Sequence, residues 1–279
     1  MTDRHTSQAS MTAPAGSMAA GADRHRLYQE SVQDVESEID FVLETWAELR
    51  GEKPLLLRED FCGTANTAAE WVRRDPGHRA IGIDLDDHVL QWGRAHNEAA
   101  LDAEQRTRLR LINEDVSEYR GELADIVLAM NFSYYLLPTR LALRTYFENV
   151  LAGLKDEGVF FLDAYGGYEA PMEIKEPRAC EGFTYIWEQA SFNPIDSMMT
   201  CFIHFEFPDG SRLDQAFRYH WRLWTLPEIQ ELLREAGFST VDVYWEGTDA
   251  ETGEGDGHYR PATVGDADPG WVCYIVAQP

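Results

Sequence analysis

The chain has 279 residues, 44% of them hydrophobic and 12% aromatic, which is enough to bury a sizeable core and too apolar for a disordered segment. Its formal net charge is −25, from 49 Asp and Glu against 24 Lys and Arg. Such a surface repels a phosphate backbone or an anionic bilayer, so neither nucleic acid nor a membrane is expected as a partner.

Residues 1–25 are rich in Ala, Ser, Thr and Gly without periodicity, which predicts a flexible tail ahead of a single folded domain over 26–279. From Leu27 onward the pattern is helical, with Val32, Val35, Ile39, Val42, Leu43 and Trp46 on one apolar face and Gly51 and Pro54 ending it. Strands and helices then alternate. Strands are predicted at 55–57, 80–83, 109–112, 124–130 and 159–162, with helices at 67–74, 87–100 and 141–154. This order predicts an α/β fold with a Rossmann-like, doubly wound sheet.

The aromatic and β-branched stretch 183–207, broken by the turn Asn193-Pro194-Ile195-Asp196, predicts antiparallel strands. They belong to an insertion over 168–222, between the fifth and sixth strands. Leu226-Pro227-Glu228 opens a helix that Gly237 caps. Strands at 241–245 and 271–276 bring the sheet to seven, and 247–270 reads as an acidic loop. Cys62, Cys180, Cys201 and Cys273 have no CxxC or zinc spacing, so free thiols and no metal are expected. Without an apolar leader or a run of about 18 apolar residues, the expected location is cytoplasmic.

Residues 55–69, LLLREDFCGTANTAA, carry the chemistry. An apolar strand ends in acids, turns through small residues and opens a helix, so backbone N–H groups can approach a ligand. An acid at the strand end favours a cofactor bearing a cation or hydroxyls over a pyrophosphate. This segment resembles the first motif of class I S-adenosylmethionine-dependent methyltransferases, an acid followed by spaced glycines. Glu59 stands as the acid and Gly63 as the middle glycine, while Phe61 and Ala65 stand where glycine is usual. Later positions extend the resemblance. Asp84, with Leu85 after it, closes the second strand where the family's ribose-binding acid lies. Asp115 and Val116 resemble the adenine-contacting turn, and Asn131 follows the fourth strand. Tyr28 resembles the N-terminal tyrosine that closes over the methionyl carboxylate in some relatives, and Arg58 is a candidate partner for that carboxylate.

The resemblance implies S-adenosylmethionine as cofactor and methyl transfer to the O, N, S or C atom of a small molecule. Methyl transfer from a sulfonium needs positioning more than acid–base chemistry, so no triad is required. Acceptor-facing candidates follow strand four (Asn131, Tyr134, Tyr135) and strand five (Asp163, Tyr165, Tyr168, Glu169). Trp187, His204 and His220 lie in the insertion, and Tyr165 and His204 are the candidate bases. Two other readings stay open: a nicotinamide-dependent oxidoreductase, and a non-enzymatic cofactor-binding module whose insertion is a partner or homodimer interface.

Overall fold

The computed structural model describes residues 16–249, 252–253 and 255–279. They form two compact units: one from the residues up to Gln33 together with Met172–Trp221, the other from Asp34–Pro171 with Arg222–Pro279.

The smaller unit holds helix α1 (Arg24–Val32) and a four-stranded antiparallel sheet of β6 (Ile174–Cys180), β7 (Phe183–Asn193), β8 (Met198–Glu206) and β9 (Arg212–Arg222), adjacent in that order. Leu27 of α1 packs with Phe183, Ile203, Phe205 and Phe207 in one apolar cluster. The aromatic density of 183–207 thus builds this unit's own core, where the sequence left open an exposed partner surface. Asp23 caps α1 by accepting from the His25 and Arg26 N–H groups. Ala19 is buried, and the Met18 N–H donates to Asp209. Residues 16–25 are therefore packed and capped, contrary to the expected tail; 1–15 lie outside the described residues.

The larger unit begins with α2 (Val35–Leu49), capped by Asp34, whose carboxylate accepts from the Ser37 N–H. The single helix expected over the first apolar stripe is two helices, because Asp34 satisfies the N–H groups of a new first turn. The central strands are β1 (Leu56–Asp60), β2 (Arg79–Asp84), β3 (Leu109–Asn113), β4 (Ala124–Ala129) and β5 (Leu154–Gly166), followed by β10 (Thr240–Thr248), β11 (Gly255–Ala262) and β12 (Trp271–Gln278). Their order is β11-β10-β12-β5-β4-β1-β2-β3. The first five are mutually parallel, and β12 runs antiparallel between β5 and β10. The expected seven strands are present, with β11 an eighth at the edge. It pairs with β10 inside the stretch expected to be loop, so that expectation is corrected.

Helices α3 (Asn66–Arg74), α4 (Asp87–Gly93), α5 (Ala103–Arg108), α6 (Arg140–Gly153) and α7 (Leu226–Ala236) complete the unit. Alternate residues of each strand face opposite layers. Leu57, Ile126, Leu128, Val159 and Phe161 join Ile39, Val42 and Trp46 of α2 and Trp71 of α3 in one core. Phe160 faces the other way, against Tyr146 and Phe147 of α6. No helix among the described residues is long and apolar enough to cross a membrane.

Candidate functional site

The loop from β1 to α3 keeps the backbone of a glycine loop with fewer glycines. Phe61, Gly63 and Ala65 have φ of 55°, 54° and 56°, in the left-handed region. That conformation costs a side-chain-bearing residue roughly 1–2 kcal/mol, so its survival at Phe61 and Ala65 marks a turn enforced by its surroundings. Two braces are visible. The Asn97 Nδ2 donates to the Thr64 carbonyl at 2.8 Å, and Gly93 lies so close that a Cβ there would come within 2.5 Å of the same oxygen. A Cβ on Gly63 would meet nothing within 4 Å, so there is open space beside this turn. The Phe61 ring packs edge-on against Tyr146 at 5.4 Å. The aromatic therefore leaves the turn intact.

The carboxylates of β1 and β2 divide by face. Asp84 accepts from the Gly63 N–H and the Asp86 N–H, both at 2.8 Å. Burial pushes its carboxyl above the usual range, opposed by those two bonds. Leu85 beside it is 71% exposed, an apolar side chain held out at the strand ends. Glu59 accepts from the Ala68 N–H at 2.8 Å and is 7% exposed. Burial raises its carboxyl to about 8, against the hydrogen bonds from Ala68 and Thr67.

Arg58 does not reach this region. It is buried with Asp60 in a bidentate pair, Nε–Oδ1 2.7 Å and Nη2–Oδ2 2.8 Å. Tyr146 donates to the same carboxylate at 2.9 Å, and Tyr119 presents its ring to the guanidinium. Being one residue off the Glu59 face, Arg58 points to the opposite layer, which corrects its assignment to a cofactor carboxylate.

Asp115 closes its own turn by accepting from the Ser117 N–H at 2.8 Å, and Val116 is buried. Asn131 and Phe132 both have positive φ, and their N–H groups donate to the two Asp163 oxygens at 2.8 Å. Asp163 thus shapes the turn after β4, while burial raises its carboxyl to about 7. Tyr134 and Tyr135 are fully buried and donate to the Asp163 and Tyr165 carbonyls. They are core groups and not acceptor-facing, which corrects that expectation. Tyr165 is half-buried at the end of β5, its ring against Phe132 and Tyr135.

Tyr28 and His204 belong to the smaller unit. Tyr28 packs on Phe217 at 5.0 Å and shares a hydrogen bond with Tyr219. His204 is 4% exposed. Its Nε2 lies 2.7 Å from Glu188, and its Nδ1 is 3.2 Å from Asp214 and accepts from the Gln215 N–H. Buried beside the Glu188 and Asp214 carboxylates, with Nδ1 accepting from the backbone, His204 has the surroundings of a structural group. Its assignment as a base is corrected.

One residue of the site went unread in the sequence. Glu38, on the first turn of α2, is 8% exposed and interacts with Glu59 and Asp163, and Thr67 shares a hydrogen bond with it. A signal was present, because Glu38 lies four residues before Val42 on the apolar stripe, where a charge is out of place.

No family model and no curated protein matches the chain. Solved structures do. A S-adenosylmethionine-dependent methyltransferase from Clostridium acetobutylicum aligns with a TM-score of 0.66 at 18% identity, covering 91% of this chain and 97% of its own. An amino pentose methyltransferase from Micromonospora echinaspora, involved in calicheamicin biosynthesis and solved with S-adenosylmethionine bound, gives 0.64 at 17% identity over 91% and 96%. A sugar N-methyltransferase from Streptoalloteichus gives 0.61 at 18% over 92% and 94%. The chain has the fold of these methyltransferases.

Proposed function

We propose that this chain is a S-adenosylmethionine-dependent methyltransferase acting on a small-molecule nucleophile. The observation that carries the reading is the left-handed turn 61–65, open at Gly63, with the Asp84 carboxylate beside it and Glu59 behind it. Asp84 has the acceptor oxygens for ribose hydroxyls, Leu85 offers an apolar surface to a base, and the turn offers backbone N–H groups. These residues fit the cofactor. An edge with Glu38, Glu59, Asp84 and Asp163 fits a cationic one and opposes a pyrophosphate, which disfavours the nicotinamide alternative.

S-adenosylmethionine supplies a methyl group already activated on a sulfonium. The chain's residues then have to orient an acceptor and exclude water. Tyr165, at the mouth of the β4 and β5 ends, is our candidate for touching that acceptor. The solved neighbours include enzymes for an amino pentose and a sugar nitrogen, so amino sugars are the first acceptor class to assay.

The test is calorimetry with S-adenosylmethionine and S-adenosylhomocysteine. Absence of binding of either at millimolar ligand would sink the reading. Asp84→Ala is expected to weaken binding by about 1–3 kcal/mol, the worth of charge-assisted hydrogen bonds.

A further inference from the structure

We infer that Glu38 binds the primary ammonium group at the methionyl end of the cofactor, a role resting on the S-adenosylmethionine reading above. Glu38, Glu59 and Asp163 come from α2, β1 and β5 to one side of the sheet, and all three are at least nine-tenths buried. Asp34 also faces Glu38 from the cap of α2, and Tyr274 faces it from β12. None of these groups is a cation.

Counted as carboxylates, these three groups are short by one hydrogen-bond donor. Glu59 has the Ala68 N–H, and Asp163 has two backbone N–H groups. Thr67 is a neighbour to both Glu38 and Glu59, yet its hydroxyl carries a single proton. Oε2 of Glu38 is left with no hydrogen-bond partner among the described residues. A buried carboxylate oxygen without a donor is costly, and native proteins rarely keep one without a use for it.

The chemistry of the missing donor follows. A sulfonium has no N–H to give. An acceptor amine must be neutral to attack a methyl group, and an anionic cage would hold it charged and inert. The cofactor's α-ammonium stays charged throughout and carries three donors, so it alone suits a cage of carboxylates. In the ligand-free protein burial holds Glu38 and Glu59 protonated up to about 8 and Asp163 up to about 7. A bound cation reverses that, so a proton must leave as the ammonium enters.

Glu38→Gln keeps the shape and removes the charge. Titrating the full chain with S-adenosylhomocysteine and with 5′-methylthioadenosine, which lacks the ammonium, reads the effect directly. The variant is expected to bind S-adenosylhomocysteine about tenfold or more weakly and methylthioadenosine within about twofold of wild type. Wild-type titrations near neutral pH, in two buffers of different ionisation enthalpy, should show proton release with S-adenosylhomocysteine and none with methylthioadenosine. That second measurement stands even where the variant folds poorly. Equal losses for both ligands, no loss for either, or no difference in proton release overturns the inference. If wild type binds neither ligand, the cofactor reading itself has failed.

Discussion

Glu59 and Asp60 are neighbours on one strand, both buried and both acidic, and their surroundings differ completely. On the α6 side, Asp60 meets Arg58 through two hydrogen bonds and Tyr146 through a third. On the α2 side, Glu59 shares its layer with Glu38 and Asp163, and no basic side chain among the described residues answers them. The first face is electrostatically closed and serves the fold. The second leaves three buried carboxyl groups without a countercharge at the strand ends, where ligands bind in open α/β sheets. Buried charge that the chain does not neutralise is a better guide to a binding site than buried charge as such.

That contrast can be broken most severely on the closed face. Asp60→Ala strands the Arg58 guanidinium in the interior and is expected to destabilise the protein by about 3–5 kcal/mol in denaturant unfolding. Replacing Arg58 by Met at the same time should recover much of the loss, because no charge then remains buried.

The open face should reveal itself through pH. Glu38 and Glu59 titrate near 8 in the folded chain against an ordinary 4.5, so the folded state keeps protons that the unfolded state releases. Their stabilising contribution is complete below the unfolded value and is lost as pH rises through the folded one. The ligand-free Tm is therefore expected to fall between about pH 5 and about pH 8 and to level off above that. Glu38→Gln should flatten that slope, and a slope of the opposite sign would contradict the unpaired cluster.

The smallest effect concerns the turn joining the two faces. Ala65→Gly removes the penalty of a left-handed alanine and should raise stability by about 1 kcal/mol. The same change at Ala69, inside α3, should lower it by about as much. Paired thermal melts of the two variants distinguish backbone strain from a general effect of glycine.

Much of the architecture was legible in the chain itself. The alternation of apolar runs and amphipathic stretches specified the parallel strands, because period and length are local properties. The boundaries of α7 were written in its capping box and in Gly237. The acids at the ends of β1 and β2 stood out for the same local reason. The break between α1 and α2 depended on which unit each stripe would join, and β11 depended on an edge of β10 far along the chain. Neither is marked by a local pattern.

The sequence by itself determined the fold class, the loop 61–65 and the acids Glu59 and Asp84, since strand ends and turns are encoded by neighbouring residues. Only the tertiary structure decided how the charges are shared. Arg58 faces Asp60 because they are two residues apart on a pleated strand, and His204 lies between carboxylates from adjacent strands. Glu38 meets Glu59 and Asp163 because a helix and two strands converge there, and no residue among those described supplies the cation they lack.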